Sequence, residues 1–166
     1  MLKSVFTTIV FAMGLAFASL ALNPSPVAAA ELASVQADIS TLVAQYQDDP
    51  DGLEAAIEEY VTNSEDPELA AQAIIAVAAG LPDDSPLKIA LGRGLGAAIV
   101  VIGLTSPTVA ANMQALVAAS NDEALIASVS AGSSDKTASI EQNTGGDGNI
   151  AAGQDDETPE TFASPS

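Results

Sequence analysis

Apolar side chains recur every three or four positions through residues 31–132, which is the spacing of amphipathic α-helices. Six helices are predicted, over residues 32–47, 50–62, 67–79, 86–104, 107–119 and 122–131. No segment shows the sustained alternation of a strand. Because the connections are short, the pattern favours an all-α fold, a compact antiparallel bundle of about six short helices. A tetratricopeptide-like solenoid of stacked helix pairs is the alternative, but the spacing drifts and the large signature aromatics are missing.

The helix starts share one local device, in which an Asp or Ser that can cap the helix precedes a proline. Proline suits the first helical position, where its missing N–H costs nothing, and the Asp or Ser oxygen can accept a bond from a free N–H. The four pairs are Asp49-Pro50, Asp66-Pro67, Ser85-Pro86 and Ser106-Pro107. Asn121 is predicted to cap the sixth helix without a proline. Gly80 and Gly132 are predicted to end the third and sixth helices.

The first thirty residues have the pattern of an export signal. Lys3 provides a positive start, residues 5–22 form an apolar run, and three alanines at 28–30 offer small residues for a signal peptidase. We therefore predict residues 1–30 to be a cleaved signal peptide and the mature chain to begin at Glu31. The alternative is an uncleaved anchor, because the apolar run approaches the roughly 20 residues that span a bilayer.

The composition changes after Gly132. Residues 133–166 are rich in Gly, Ser, Thr, Asp and Glu and hold few large apolar side chains. Such a segment buries too little surface to offset the entropy cost of ordering. The sequence therefore predicts a helical domain over residues 31–132 and a disordered acidic tail over residues 133–166.

Charge and residue inventory exclude several function classes. The chain carries 22 acidic and 4 basic residues, a net charge of −18, which argues against nucleic acid and against anionic lipid as partners. His and Cys are absent, so the common catalytic triads, thiol chemistry and favoured zinc ligands are missing. We therefore expect a protein that is not an enzyme. The negative charge can serve solubility alone, and its more specific interpretation is a cationic partner or a bound cation.

Calcium is the one metal for which the sequence offers ligands, and the residues indicate no other cofactor. Asp49, Asp51 and Glu58 fall at the third, fifth and twelfth positions of a calcium-loop template, with Gly52 at the sixth. The first position is Gln47 instead of Asp. Asp49 and Asp51 are already explained as a helix cap and a first-turn acid. These residues are a weak candidate for a calcium-responsive module.

The segment over residues 89–104 is predicted to be an apolar helix with Gly92, Gly94 and Gly96 in its interior. Each glycine costs roughly 1 kcal/mol against alanine in a helix interior, so close packing should offset it. The simplest interpretation is a central helix that neighbours surround. The alternative is a self-assembling or membrane-active protein, a homo-oligomer formed through Gly92 and Gly96. Arg93 and the short apolar run after it argue against stable membrane insertion once the signal is cleaved.

Several segments together resemble a group of known proteins. DPELAAQAIIAVAAG, LGRGLGAA and SPTVAANMQALVAAS, followed by the low-complexity tail, resemble small exported Ala-rich proteins of alphaproteobacteria. The resemblance covers residues 32–132 and lies in composition and helix layout. It implies export and an all-helical fold. That family has no assigned activity, so no functional residue is implied.

These observations lead to one functional expectation. The chain is expected to be exported to the periplasm or the extracellular space and to act there, without catalysis, as a binding or structural component. The partner is expected to be a protein or another component of the bacterial envelope.

Overall fold

The computed structural model describes residues 26–144, and within that range all regular structure is helical. The six helices are α1 (Pro26–Gln45), α2 (Pro50–Thr62), α3 (Pro67–Ala78), α4 (Pro86–Gly103), α5 (Pro107–Ala119) and α6 (Glu123–Thr144). The all-α prediction is confirmed, and the limits of α2 to α5 agree with the predicted ones within a residue. Residues 1–25 of the predicted signal peptide, and the part of the predicted tail after Thr144, lie outside the described residues.

Helix capping follows the sequence prediction at the aspartates but not at the serines. Asp49 and Asp66 precede α2 and α3, and their Oδ1 atoms accept bonds from the N–H groups of Gly52 (3.0 Å) and Leu69 (2.9 Å). Ser85 and Ser106 occupy the same position before α4 and α5, yet neither side chain caps the helix. The proline alone marks these two starts, because its fixed φ suits the first helical position.

The cap of α6 lies one residue later than predicted. Asp122, not Asn121, accepts the bond from the N–H of Leu125, at 3.0 Å. Asn121 has a φ of 54°, a left-handed conformation that Asn tolerates better than most residues. Its Nδ2 donates to the carbonyl of Ala119 at 3.0 Å. The turn between α5 and α6 therefore uses Asn for its backbone shape and Asp for its cap.

The difference between the two kinds of cap gives a testable prediction. Replacing Asp66 by alanine removes a bond to a helix N–H, so we expect the free energy of unfolding to fall by about 1 kcal/mol. Ser106→Ala is the matched control, because Ser106 makes no such bond; its effect should stay within about 0.5 kcal/mol. Urea denaturation of both variants measures the difference. Equal losses would show that the Ser106 hydroxyl also caps.

The prediction that α6 ends at Ala131 and that a disordered tail starts at residue 133 is wrong. The helix passes through Gly132 and continues to Thr144. Gly132 is buried inside the helix, and a side chain there would collide with the backbone carbonyl of Arg93 on α4. Gly132 is needed for close helix packing, and it does not terminate the helix. The polar composition after it concealed the further helical turns that reach Thr144.

The helices pack in two layers. The most extensive contacts join helices two places apart in the chain, so that α2, α4 and α6 form one layer and α1, α3 and α5 form the other. Within the first layer α4 lies between α2 and α6. This arrangement shares with stacked helix pairs the contact between alternate helices, although the spacing is not that of a regular repeat.

Helices α4 and α6 run parallel, so an antiparallel bundle does not describe their contact. Successive points of α4 meet successive points of α6: Lys88 meets Asp122, Gly92 meets Ser128, and Gly96 meets Ser133. The reason is the chain path, because α5 turns back from α4 and the next short turn restores the original direction. The prediction of antiparallel neighbours applies to consecutive helices, whereas the largest contacts are made by alternate ones.

Helix α4 forms the centre of the core, as its apolar character predicted. Leu91, Leu95 and Ala98 are fully buried. Among the described helices, α4 alone is long and apolar enough to cross a membrane by length and composition, but 61% of it is buried inside the fold. A helix that is apolar all round and surrounded by neighbours is typical of a protein core. The protein's own helices therefore cover the segment that suggested membrane activity.

The first helix begins earlier than predicted. It starts at Pro26 instead of Leu32 and ends at Gln45. Ala28, Ala29 and Ala30, which precede the predicted cleavage point, are exposed in its first turns. Its fully buried residue is Ile39, with Leu42 and Val43 partly buried against the core. Among the side chains that the structure describes, Leu32 is the first that packs against the core, and it follows the predicted cleavage point.

Candidate functional site

The predicted calcium ligands do not form a site. Residues 51–58 belong to α2, whereas the template needs a loop that wraps around the ion. Asp49 already caps α2 by accepting a hydrogen bond from the N–H of Gly52, and the Oε1 of Glu58 lies 2.5 Å from the Nζ of Lys136. Within residues 26–144 no three carboxylates are grouped so that they could hold a metal ion. Pro50 and the Asp49 cap start a helix where the template requires a loop, so the structure does not bring these residues together as the template would.

Gly92 and Gly96, the predicted self-association residues, face α6 of the same chain. A Cβ on Gly92 would lie 2.5 Å from that of Ser128, and one on Gly96 would collide with the carbonyl of Val129. Gly132 is the corresponding glycine on α6, and it packs against the backbone of Arg93 on α4. We call this contact, formed by Gly92, Gly96, Ser128 and Gly132, the α4–α6 seam. Since α6 occupies this face of α4, the predicted route to a homo-oligomer is closed in the folded chain.

Gly94 faces α2, which packs on α4 opposite α6. A Cβ there would lie 2.5 Å from the carbonyl oxygen of Glu54 and 2.8 Å from the Cβ of Ile57, both on α2. The three glycines therefore let two helix backbones approach α4 from different sides. This packing explains how the helix tolerates residues that are costly in its interior.

The role of the basic residues was not predicted from the sequence. Lys88 is almost completely buried, with only 3% of its side chain exposed. Its Nζ lies 2.7 Å from Asp122 Oδ2, which is 17% exposed, and 2.6 Å from Asp83 Oδ1, which is 83% exposed. A buried ammonium needs such partners, because its desolvation is costly. The less exposed partner, Asp122, is also the residue that caps α6.

The other two basic residues of the described chain also hold α6. Arg93 Nε lies 2.7 Å from Glu54 Oε2 on α2, and Arg93 Nη2 lies 2.8 Å from Asp135 Oδ2 on α6. Lys136 on α6 pairs with Glu58 on α2. Asp135 and Lys136 belong to the segment predicted to be a disordered tail. The sequence carried one signal for this role, since three isolated cations in a strongly acidic chain are natural ion-pair partners.

The ion pairs shift the pKa values of the groups that form them. Burial alone would lower the pKa of Lys88, but the hydrogen bonds and charges of Asp122 and Asp83 outweigh it and raise the pKa. Burial would likewise raise the pKa of Asp122, yet its bonds with Lys88 and with the backbone N–H of Leu125 lower it overall. The hydrogen bond and charge of Glu54 raise the pKa of Arg93. All three groups therefore stay charged at neutral pH.

The outer surface is left strongly acidic as a result. Lys88, Arg93 and Lys136 are the only basic residues between residues 26 and 144, and all three are engaged in attaching α6. The exposed acidic residues are Glu31, Asp38, Asp48, Asp49, Asp51, Glu59, Glu65, Asp66, Asp83, Asp84, Glu123, Asp135 and Glu141. Net negative charge of this size attracts cations and repels anionic surfaces.

An open cleft between α1 and α2 is the best candidate for a binding site. We call it the tyrosine cleft; its lining is Leu42, Tyr46, Ala56, Glu59, Tyr60 and the corner Asn63-Ser64. Both tyrosines of the chain lie there. The hydroxyl of Tyr60 donates to Asp38 Oδ2 at 3.4 Å. Burial and this nearby carboxylate raise the pKa of Tyr60. Aromatic rings beside carboxylates suit a ligand with an apolar body and a positive end.

Comparison of the chain with protein-family models, with curated proteins and with solved structures finds no match.

Proposed function

We propose that the protein is an exported, non-catalytic helical protein that binds a positively charged partner in the bacterial envelope or outside the cell. One observation carries the proposal: the basic residues at 88, 93 and 136 are used to attach α6, which leaves an acidic exterior with no basic patch on the described part of the chain. Such a surface raises the local concentration of cations and speeds encounter with a cationic partner.

A binding role is supported further by the residue inventory. The chain has no His and no Cys, which removes the side chains that most often act as general base or nucleophile. The pKa of Asp122, a carboxylate in a partly buried network, is lowered, whereas acid catalysis needs a carboxylate whose pKa is raised. Asp122 is therefore unsuited to act as a general acid.

Export is tested by sequencing the N-terminus of the protein recovered from each cell fraction. We expect the chain in the periplasm or the medium to begin at Glu31, since small residues precede that position and are exposed in α1. The control is Ala30→Pro, which should block processing. Recovery of the wild type only in the cytoplasm would contradict the proposal. Recovery in the membrane with an intact leader would support the anchor alternative.

Binding is tested by calorimetric titration of the exported chain with a short arginine peptide. The matched control is the same peptide with citrulline, which is similar in shape but uncharged. We expect binding of the arginine peptide alone, and a marked loss of affinity when NaCl rises to about 0.5 M, because salt screens exposed charges. Equal affinity for both peptides, or no binding of either, would refute a role based on charge.

A further inference from the structure

The tyrosine cleft concentrates the aromatic surface of the described chain at one place. Tyr46 immediately follows α1 and Tyr60 lies in the last turn of α2, and both are half-buried against the core. Leu42 and Ala56 supply apolar lining between them. The ring of Tyr46 packs closely against Gly52, where an added Cβ would lie only 2.9 Å from its Cδ1 atom. The cleft is therefore preformed, with part of each tyrosine open to solvent.

The charges around the cleft are negative. Glu59 is exposed and lines it, and Asp38 accepts the hydrogen bond of Tyr60 at its side. No Lys or Arg belongs to the lining. The three basic residues of the described chain are engaged elsewhere, in the pairs that hold α6. A ligand that enters the cleft thus meets aromatic rings and carboxylates, with no cation competing for them.

We propose that the tyrosine cleft binds an arginine or lysine side chain of the partner, with the stem against Leu42 and the rings of Tyr46 and Tyr60 and the positive end near Glu59. This inference rests on the proposed function, for which it names the site. Cation–π attraction to tyrosine adds to the charge attraction, and an apolar stem suits the apolar lining. A neutral sugar would use the rings but would gain nothing from the carboxylates.

The chain offers a direct reporter of occupancy. It contains two tyrosines and no tryptophan, and both tyrosines lie in the cleft, so tyrosine fluorescence and absorbance report from the cleft. Burial and the neighbouring Asp38 raise the pKa of Tyr60 in the free protein. A bound cation stabilises the phenolate. Saturation with the arginine peptide should therefore lower the pKa of Tyr60 in a spectrophotometric titration.

The test compares variants of the cleft with a variant that changes charge elsewhere. The exported chain is titrated calorimetrically with the arginine peptide at low salt, as wild type and as Glu59→Gln, Tyr46→Leu and Glu123→Gln. We expect Glu59→Gln to weaken binding about two- to fivefold and Tyr46→Leu by a similar factor of about two to five. Glu123→Gln is the matched control, since it removes the same charge from an exposed position on α6, and it should leave the affinity nearly unchanged.

The outcomes separate the site from the function. Loss of affinity in the two cleft variants alone, with a lowered Tyr60 pKa in the complex, supports the inference. If wild type binds the peptide and Glu59→Gln binds it equally well, the cleft is not the binding site, while the proposed function stands. If wild type fails to bind, both are overturned. Glu59 is exposed, so Glu59→Gln should fold normally and keeps the test valid even if Tyr46→Leu unfolds the protein. Binding of a neutral oligosaccharide that Glu59→Gln leaves unchanged would also contradict the inference.

Discussion

Replacing Gly132 by alanine will lower the free energy of unfolding by about 3 kcal/mol, because the added methyl group forces α4 and α6 apart. The new Cβ would fall on the backbone carbonyl of Arg93, and a backbone group cannot rotate away as a side chain can. Separation of the helices would also weaken the contact of Gly92 with Ser128 and the pair between Arg93 and Asp135. Chemical denaturation followed by circular dichroism measures the loss.

The sign of this effect distinguishes the seam from an ordinary helical position. At an exposed site inside a helix, alanine would stabilise by up to about 1 kcal/mol relative to glycine. Gly103→Ala is the matched control, because its Cβ would meet that of Ala110 at 3.6 Å, an ordinary contact. We expect that variant to be neutral or slightly more stable. A Gly132→Ala variant as stable as wild type would show that α6 does not pack against α4 at this point.

Replacing Lys88 by methionine will destabilise the protein by about 3–5 kcal/mol, the range found when a buried ion pair loses one partner. Methionine keeps the length of the side chain, so the loss reports on charge more than on packing. Asp122, only 17% exposed, would be left without its cation beside an apolar core. Urea denaturation at neutral pH measures this loss. Asp83→Asn is the control on the other partner: Asp83 is 83% exposed, and its loss should cost about 1 kcal/mol at most.

A double variant shows whether the loss of stability in Lys88→Met comes from the unpaired charge of Asp122. Lys88→Met combined with Asp122→Asn removes both charges, and asparagine can still cap α6. We therefore expect the double variant to recover most of the stability that Lys88→Met loses. If it remains as unstable as the single variant, the loss comes from packing and the buried pair is not its cause.

The pH dependence of the pair follows from its pKa shifts. The folded-state pKa of Asp122 is lowered, so its contribution is present above the unfolded value of about 3.9 and is lost as pH falls through the folded one. The folded-state pKa of Lys88 is raised, so its contribution is present below about 10.4 and is lost as pH rises through the folded value. The stability difference between wild type and the double variant should thus be constant near neutrality and change only at these two extremes.

Local signals along the chain were sufficient to predict most of the helices. Prolines at positions 50, 67, 86 and 107 fix φ at a first helical turn, and α2 to α5 begin at them. These signals act within one turn, which is why they need no knowledge of the fold. The end of α6 depends on a distant contact instead: Gly132 lies against Arg93 of α4, and its local sequence alone resembles a helix terminus.

The candidate site depended on tertiary structure still more strongly. Tyr46 follows α1 and Tyr60 lies on α2, and the packing of α1 beside α2 makes them neighbours. Lys88 and Asp122 are likewise far apart in sequence and meet because α4 and α6 run parallel. The sequence did indicate that a cationic partner fits the charge, but it could not show that the chain's own cations are used internally.

The most direct test of the account is amide hydrogen exchange across α6. The acidic exterior depends on two pairs, Arg93 with Asp135 and Lys136 with Glu58, and both need α6 to stay folded beyond Gly132. The account predicts that amides at residues 133–140 exchange slowly, with protection comparable to that of residues 125–132, since both stretches belong to one packed helix. Exchange of residues 133–140 at the rate of an unstructured peptide would contradict it. Arg93 would then lose Asp135 and keep only Glu54, and Lys136 would be free of Glu58. Basic charge would reach the surface, which would weaken the observation that supports a cationic partner.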